Sequence, residues 1–303
     1  MNAICTISTP SHLFKVYALA DSLRLYDQRL HVLYLGDFND GKNIHPDHLT
    51  SINWINVNDL DKNEVNSLQV KYGGNSDEFR WALKPLLLNY LCQTMDKVVY
   101  VDNDICFFQS PEVIFEKLSG NKILLTPHFY PKSPTIKGAN WFEANFQVGI
   151  YNAGFIGVRK DAIDFLTWWS EACLYEMRKS YFRGLFDDQK YLDIVPALFQ
   201  PVYIHPHPSW NFAAWNTWFP GVNLKQDKLF IDSEALVFIH FTNLSLTDFS
   251  DPSHIAHGYY LQYLDLLTTY DSNPQPLESK FSKRHVRNYI RYLYWRFLTR
   301  HQK

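Results

Sequence analysis

Cysteines are scarce in this sequence, and none lies in a pattern that binds metal or builds a disulfide framework. The 303 residues contain four, widely separated and without a CxxC pair: Cys5, Cys92, Cys106 and Cys173. Thiolate zinc sites and disulfide scaffolds need cysteines at short, regular spacings. Neither is therefore predicted, and the usage suits a reducing cytoplasm.

Long apolar stretches are also lacking. No segment reaches the roughly 18 uninterrupted apolar residues that a membrane-spanning helix needs. The N-terminal residues contain no basic segment followed by a long apolar run, so no signal peptide is expected. We expect a cytoplasmic protein, with peripheral contact at the inner face of the plasma membrane if its C-terminal segment binds lipid.

The composition is that of a globular protein. Hydrophobic residues make up 46% of the chain and aromatic residues 17%, enough for a sizeable core in one large α/β domain or two small ones. The net charge of −2 gives no electrostatic argument for a nucleic-acid partner, and none is expected.

A buried strand is predicted within Lys97–Phe108. Val98–Val101 is a continuous run of β-branched and aromatic residues, typical of a strand covered on both faces, and Asp102, Asn103 and Asp104 follow it. Carboxylates at the end of a buried strand need a cation, and this end is where open α/β sheets bind ligands. Magnesium or manganese carrying a diphosphate meets both requirements. An Asx turn that caps the strand is the alternative.

Strands and helices alternate along the first half of the chain, as in a parallel sheet built from βαβ units. Strands are predicted at Ala3–Thr9, His31–Leu35, Ile52–Val57 and Lys122–Thr126. Helices are predicted from Leu13 to Leu23 and at Trp81–Thr94. The polar segment Asp59–Asp77 contains two glycines and is expected to be a mobile loop.

The second half contains a strand with unusual glycine content. Gly149–Val158 alternates small and apolar residues, and its three glycines predict close approach of the backbone to another group. Further helices are predicted at Asp161–Lys179, Asp187–Leu198 and Ser253–Tyr270, and further strands at Val202–Ile204 and Leu236–Phe241.

The C-terminal segment differs in composition from the rest. Residues 271–279 resemble a linker, and residues 280–303 contain three lysines, five arginines and no acid, with apolar side chains at helical spacing. A basic, aromatic-rich amphipathic helix suits the surface of an anionic membrane. A helix docked on its own domain and a contact between subunits of an oligomer are the alternatives.

Six motifs occur in a fixed order: ICTIST, RWALKP, VVYVDNDICFF, IYNAGFIGV, FDDQKYLDIV and VFIHF. In this order they resemble the glycosyltransferases of the GT-A fold, above all the family 8 retaining enzymes and related bacterial surface-polysaccharide transferases. The similarity covers residues 1–245. It implies an α/β fold with a Rossmann-like, mixed, mainly parallel sheet flanked by helices. Together with the composition of the C-terminal segment, this predicts a catalytic domain over residues 1–270, a linker at 271–279 and a C-terminal helical extension at 280–303.

The resemblance also implies a metal site. Asp102, Asp104 and His240 would hold manganese or magnesium against the diphosphate of a nucleotide-sugar donor, for which a UDP-sugar is expected. A core histidine on a buried strand is the alternative for His240. The family pattern continues past this histidine with Gly, Lys, Pro and Trp, whereas Phe241 and Thr242 follow here. The lysine that grips the diphosphate is therefore missing from its usual place.

Other residues are assigned to the donor site. Arg80 and Lys84, four residues apart, are expected to share a helical face and to supply the missing positive charge, with a solvated helix edge as the alternative. The resemblance places the nucleotide base against Thr6 and Ser8, where ordinary turn residues would look the same. Asn103, between the two acids, belongs to the same predicted site.

Sugar-contacting residues are expected in two further segments. The resemblance selects Asn152, Ala153 and Gly154, where the Asn152 amide can donate to and accept from hydroxyls. Aromatic faces beside amides suit sugar rings, and in His205–Trp218 this pattern selects Asn211, Trp215 and Asn216. Core tryptophans are the alternative there. His205 and His207 are expected to face opposite sides of the chain, so they are not interpreted as a metal pair.

Asp188 and Gln189 match the start of the family's Asp-Gln-Asp motif and are the expected catalytic residues, although Lys190 replaces the second acid. Retention through a covalent intermediate needs a nucleophile that these residues do not identify. Inversion with Asp188 as general base is the alternative mechanism. Helix N-capping by Asp187 and Asp188 is the structural alternative.

The expected activity is transfer of a sugar from a nucleotide-sugar to a glycan or lipid-linked acceptor in surface-polysaccharide assembly. A sugar-binding protein that keeps the fold without catalysis is the non-enzymatic alternative. A haloacid-dehalogenase-type phosphatase also has Asp-x-Asp after a strand, but it has Thr or Val where Cys106 stands, and its motif lies near the chain start.

Overall fold

The computed structural model describes residues 1–37, 45–48, 50–133 and 139–271. The strands of this part are β1 Asn2–Ser8, β2 Leu30–Tyr34, β3 Asn53–Asn56, β4 Lys97–Val101, β5 Ile105–Phe107, β6 Ile123–Pro127, β7 Tyr151–Arg159, β8 Val202–Ile204, β9 Val222–Lys225, β10 Lys228–Ile231, β11 Glu234–Ala235 and β12 Phe238–His240. Its α-helices are α1 Leu13–Arg24, α2 Lys62–Tyr72, α3 Ser76–Ala82, α4 Lys84–Cys92, α5 Glu112–Ser119, α6 Ala139–Gln147, α7 Ile163–Tyr175, α8 Val195–Leu198, α9 Asn243–Phe249 and α10 His257–Tyr270. None of these helices is long and apolar enough to cross a membrane.

Seven strands form one sheet in the order β3-β2-β1-β4-β7-β6-β8. Neighbouring strands are parallel except at β7, which runs antiparallel to β4 and β6. The predicted mixed, mainly parallel sheet is therefore confirmed. The predicted linker beyond Asp271 and the predicted helix at 280–303 lie outside the described residues.

The predicted central strand is confirmed as β4, which is buried on both faces. Val98 and Tyr100 face the core cluster that contains Trp169 of α7, whereas Val99 and Val101 face the cluster formed with α1 and α5. Alternate side chains of a strand point to opposite faces, so a continuous apolar run satisfies both layers. The strand ends at Val101, and the polar Asp102 follows it directly.

The prediction of a mobile loop at Asp59–Asp77 is wrong, because this segment contains α2 and the first residues of α3. Asp61 caps α2 by accepting hydrogen bonds from the backbone amides of Asn63 and Glu64. Leu68 and Tyr72, four residues apart, are buried on one face of the helix. The polar composition belongs to the exposed face.

Two other predicted helices have different limits. The predicted helix Trp81–Thr94 is divided at Leu83 into α3 and α4, with Pro85 in the first turn of α4, where its missing N–H breaks no helical bond. The predicted helix Asp187–Leu198 is a 3-10 helix at Lys190–Ile194 that continues into α8.

A two-stranded ribbon joins the end of β4 to the last strand. In this ribbon β5 pairs antiparallel with β12, and Ile105 lies opposite His240. The amide of Phe241 donates a 2.7 Å hydrogen bond to the carbonyl oxygen of Asp104. The pairing holds His240 beside the acids that follow β4, although the histidine is distant in sequence.

Candidate active site

A cavity of about 850 Å³ opens at the carboxyl end of β4. This volume is in the range of small-molecule sites, which is about 300–1,000 Å³. Most of the predicted site residues line it: Arg80, Lys84, Asp102, Asn103, Asp104, Asn152, Ala153, Gly154, Asp188, Gln189, Trp215 and His240. The fold therefore brings residues from six separate segments of the chain to one place.

Two carboxylates and one imidazole form a tight cluster in the cavity. The Nε2 atom of His240 lies 3.0 Å from Oδ1 of Asp104 and 3.8 Å from Oδ2 of Asp102. His240 is buried, whereas the side chains of Asp102 and Asp104 are 29% and 18% exposed toward the cavity. The same imidazole nitrogen thus faces both acids.

The position of Gly154 on β7 explains how close this cluster lies to the sheet. A Cβ atom at Gly154 would lie 2.6 Å from Cε1 of His240 and 2.7 Å from Oδ2 of Asp102. The Gly154 carbonyl accepts a 2.8 Å hydrogen bond from the amide of Asp102. Only glycine leaves room for both side chains, which is the close approach that the glycine pattern predicted.

The pKa values of the cluster show strong mutual stabilisation of charge. Burial alone would raise the pKa of Asp104, but His240 and then Lys15 outweigh this effect and hold the pKa well below its usual range. Burial alone would lower the pKa of His240, but Asp104 and Asp102 raise it. The positive charges of His240 and Lys15 therefore favour the ionised form of Asp104.

The donor set fits a divalent metal. One ligand atom from each of Asp102, Asp104 and His240 lies within 4.8 Å of the others. Carboxylate oxygens with one imidazole nitrogen suit manganese, and the carboxylates alone suit magnesium. A bound metal would replace the direct contacts between His240 and the acids.

Lys84 is a buried cation at the floor of the cavity. Its Nζ atom lies 2.9 Å from Oδ2 of Asp188 and 3.6 Å from Oδ1 of Asp102, and it donates a 3.0 Å hydrogen bond to the carbonyl of Ala153. Burial acts to lower the pKa of Lys84, but the two carboxylates outweigh this effect and raise it. Lys84 thus links the predicted catalytic acid to the predicted metal ligands.

Arg80 lines the rim of the cavity. Its guanidinium lies 3.0 Å from Asp77 and 5.8 Å from the centre of the Trp81 ring. Arg80 and Lys84 lie on two successive helices, α3 and α4, and not on the single helix that was predicted. Both nevertheless reach the same cavity.

Asp187 is a second acid in the cavity wall, with unusual backbone geometry. Its φ angle is +48°, in the left-handed region that is uncommon for residues other than glycine. Burial raises its pKa to about 6, although Lys179, whose Nζ atom lies 3.1 Å away, acts in the opposite direction. Neither Asp187 nor Asp188 caps an α-helix.

The amides of Gln189 and Asn152 are held by internal hydrogen bonds. Gln189 accepts from the amide of Ala153 at 3.3 Å and donates to the carbonyl of Val148 at 3.2 Å. Asn152 lies 3.1 Å from Nε2 of His128 and accepts from the amide of Gly154 at 2.7 Å. These contacts fix the side chains that line the floor beside Lys84.

Four residues that were predicted to contact the donor do not line this cavity. Thr6 and Ser8 are fully buried in β1, and the Ser8 hydroxyl donates to the carbonyl of Thr9. Asn211 donates to Oγ1 of Thr126 at 3.1 Å, and Asn216 donates to the carbonyl of Asn211 at 3.0 Å. Both asparagines are fully buried and hold the loop that carries Trp215.

Several lining residues were missed by sequence reasoning. Lys15 of α1 lies 3.8 Å from Oδ2 of Asp104, and His128 and Tyr130 stack with ring centres 4.6 Å apart. Trp141 stacks on Tyr130 at 5.5 Å. No short motif marks these residues, although the aromatic residues around 128–142 are a compositional signal that could have been noted.

The lysine that replaces the family's second acid is directed away from this site. The Nζ atom of Lys190 lies 2.7 Å from Oδ2 of Asp193, and the other oxygen of Asp193 accepts from the amide of Ile150 at 2.7 Å. Lys190 does not line the cavity. Through Asp193, Lys190 therefore helps to hold the backbone at Ile150, directly before β7 begins.

The prediction that His205 and His207 face opposite sides is wrong. Their ring centres are 4.7 Å apart, because the chain bends after β8 ends at Ile204. Neither ring lines the main cavity.

Comparisons with known proteins give two curated relatives, and no protein-family profile matches the chain. YfnF of Bacillus subtilis strain 168 is 28% identical over 261 residues, which cover 84% of this chain and 85% of that protein. YfnD of the same strain is 26% identical over 254 residues, covering 80% and 77%. Both relatives are described as uncharacterized proteins.

Solved structures give a more informative comparison. The galactosyltransferase LgtC in complex with donor and acceptor sugar analogues has a TM-score of 0.54 and 16% identity, covering 91% of this chain and 98% of that chain. Mouse xyloside xylosyltransferase 1 has a TM-score of 0.50 and 14% identity, covering 80% and 99%. At such low identity the likeness establishes the fold alone, and the fold of this chain is the GT-A fold of the glycosyltransferases.

Proposed function

We propose that this chain is a metal-dependent glycosyltransferase. It transfers a sugar from a nucleotide-sugar, preferentially a UDP-sugar, to a glycan or lipid-linked acceptor, with retention of anomeric configuration. The observation that carries the proposal is the cluster of Asp102, Asp104 and His240 at the floor of one large cavity, at the carboxyl end of the central strand. The shared fold and the order of the sequence motifs support the same activity.

The metal ligands would be Asp102, Asp104 and His240. When bound, the metal neutralises negative charge that develops on the leaving diphosphate. Lys15, beside Asp104, is placed to add a positive charge that the missing family lysine would otherwise provide. Arg80 supplies a further positive charge at the rim.

The donor sugar would lie over Asn152–Gly154 and Asp188. Lys84 holds the Asp188 carboxylate at 2.9 Å, so that the acid is fixed toward the cavity floor. A carboxylate in this position orients the sugar and stabilises positive charge at the anomeric carbon as the glycosidic bond breaks. Gln189 bonds to the backbone of Ala153 and Val148, so it holds the β7 side of the cavity beside Asp188.

An aromatic wall suits the acceptor. Tyr130, Trp141 and Trp215 line the cavity, and the Trp215 ring lies 5.5 Å from the ring of His240. Aromatic faces stack on the apolar faces of sugar rings. A glycan or the sugar of a lipid-linked acceptor matches this wall.

Inversion is the second candidate mechanism, and one observation favours a different base for it. Asp188 is held by the buried Lys84, whereas Asp187, whose partner Lys179 is half exposed, has a pKa that burial raises to about 6, and it also lines the cavity. A general base works best when its pKa is near the working pH. Proton NMR of the first product distinguishes the mechanisms through its anomeric configuration.

We also propose that residues 280–303 bind the membrane surface. Their basic and aromatic composition would hold the enzyme at the cytoplasmic face of the plasma membrane, where lipid-linked acceptors lie. This assignment depends on the sequence alone.

The deciding experiment is a panel of nucleotide-sugars incubated with the chain and manganese. We expect one donor to be hydrolysed slowly without acceptor and to raise the melting temperature only when manganese is present. The double variant Asp102→Asn/Asp104→Asn should lose both responses, whereas Glu112→Gln, an exposed carboxylate on α5, should keep them. Donor binding without hydrolysis or transfer, at every metal tested, would favour a sugar-binding protein instead.

A further inference from the structure

A second group of metal-binding side chains lies outside the donor cavity. His205 follows β8, His207 lies two residues further on, and Glu234 begins β11 of the small three-stranded sheet. One imidazole nitrogen from each histidine and one carboxylate oxygen of Glu234 lie within 4.8 Å of one another. None of the three residues lines the main cavity.

The ring of His205 is held in a fixed orientation. It stacks on Trp210 with ring centres 3.9 Å apart and an interplanar angle of 2°. Its Nε2 atom lies 3.0 Å from the hydroxyl of Ser209, and its Nδ1 atom is 3.5 Å from the hydroxyl of Tyr203, at the limit of a hydrogen bond. Histidines that bind metal usually have their second nitrogen oriented by such a neighbour.

His207 contains a buried nitrogen without a partner. Its Nε2 atom lies 3.1 Å from Oε1 of Glu234, but its Nδ1 atom is buried and has no hydrogen-bond partner among the described residues. Buried polar atoms are nearly always paired, so an unpaired imidazole nitrogen beside a second histidine indicates a missing ligand. The 3.1 Å contact with Glu234 alone leaves this nitrogen unexplained.

The exposure of the cluster suits entry of an ion from solvent. The side chain of Glu234 is 54% exposed and that of His207 is 12% exposed, whereas His205 is buried. His205 is thus a fixed imidazole with the largely buried His207 beside it, and the exposed glutamate can move to complete the coordination. Two imidazoles and one carboxylate select zinc and its neighbours in the first transition row over magnesium or calcium, with a fourth position for water.

We infer that His205, His207 and Glu234 form a second metal site, which binds a divalent ion of the zinc class. The ion joins the edge strand β8 of the main sheet to β11 of the small sheet. By holding His205, the ion also fixes Trp210, which stacks on that ring. Trp210 directly precedes the loop of Asn211 and Trp215, so the site stabilises the part of the cavity wall that Trp215 forms. This inference does not depend on the proposed glycosyl transfer.

The test uses the full chain with Asp102→Asn/Asp104→Asn, so that the donor-site cluster does not compete for the ion. After treatment with a chelator, the protein is titrated with zinc by calorimetry and with cobalt by visible absorption. We expect one equivalent of zinc, a d–d absorption band typical of a four-coordinate cobalt site, and a higher melting temperature with zinc. Magnesium should produce none of these changes.

Variants assign the ion to its ligands. Glu234→Gln, at an exposed side chain, should weaken zinc binding at least tenfold, and His207→Ala should weaken it at least a hundredfold and remove the cobalt band. The exposed Glu112→Gln is the matched control and should keep the parental affinity. Absence of a zinc equivalent in the parent, or an affinity that Glu234→Gln leaves unchanged, would overturn the inference even if His207→Ala failed to fold.

Discussion

The Nζ atom of Lys84 lies 2.9 Å from Oδ2 of Asp188, and neither side chain is more than 5% exposed. A buried ion pair of this kind contributes little net stability compared with apolar residues, but removing one partner leaves the other charge buried and unpaired. Both residues line the cavity, so a substitution in the pair should change the stability of the domain and the shape of the cavity together.

Replacing Lys84 should destabilise the fold strongly. We expect Lys84→Met to lower the free energy of unfolding by about 3–5 kcal/mol, because Asp188 is left without its cation. The double variant Lys84→Met/Asp188→Asn should recover part of this loss. Urea unfolding followed by circular dichroism measures both values, and additive losses in the double variant would contradict the pairing.

Gly154→Ala tests the close approach of β7 to the metal cluster. The new Cβ atom would clash with His240 and Asp102, so we expect a loss of about 1–3 kcal/mol in stability and loss of the manganese-induced thermal shift. Gly120→Ala is the matched control, since no heavy atom lies within 4 Å of its added Cβ atom and its φ angle is −99°. Equal manganese shifts in the two variants would contradict the assignment.

Lys15 should contribute to donor binding. We expect Lys15→Ala to raise the KM for the nucleotide-sugar about ten- to hundredfold, the range for one charge-assisted hydrogen bond, with a smaller effect on kcat. Lys15→Arg should restore part of the affinity. Lys62→Ala, at an exposed position on α2, is the control, and steady-state kinetics with saturating manganese decide the outcome.

His128 should make stability depend on pH. Burial lowers the pKa of His128 to about 4, while hydrogen bonds to the carbonyls of Ile150 and Gly149 act in the opposite direction. Between pH 4 and 6.5 the unfolded chain binds the proton that the folded chain excludes, so stability rises with pH across this window, by about 3 kcal/mol in total. His128→Gln should flatten the rise, and parallel unfolding curves against pH for the two proteins would exclude this role.

Residues 280–303 should bind anionic membranes. We expect deletion of this segment to abolish co-sedimentation with vesicles that contain phosphatidylglycerol, because the eight basic side chains are removed with it. The melting temperature of the remaining chain should stay unchanged. If the shortened chain still binds the vesicles, residues 280–303 are not the membrane-binding segment.

The central strand could be predicted from a local signal, whereas the grouping of His240 with the two acids was expected only from the resemblance to the GT-A glycosyltransferases. The apolar run before Asp102 shows in the sequence that the strand is buried on both sides, and the strand ending at His240 was recognised by the same kind of run. In α2, by contrast, Leu68 and Tyr72 are among few apolar residues in a polar segment. The helical period was therefore too sparse to distinguish from a loop.

Other contacts near the site are not determined by composition. Asn211 and Asn216 were expected to contact sugar, but the Asn211 amide donates to Thr126, and Asn216 bonds to backbone groups of Asn211 and Ala213. Lys15 resembles a solvated residue of α1 and comes near Asp104 only because β1 and β4 are neighbours in the sheet. In the sequence, an asparagine or lysine that contacts a ligand cannot be distinguished from one that makes only structural or solvent contacts.

The ribbon of β5 and β12 has a consequence for biosynthesis. Asp102 and Asp104 leave the ribosome early, but their partner His240 is translated more than a hundred residues later, and the pairing of Ile105 with His240 forms only then. Throughout that interval the nascent chain carries two carboxylates without their imidazole. A metal that needs all three ligands would therefore bind only after His240 has been synthesised and β12 has paired with β5.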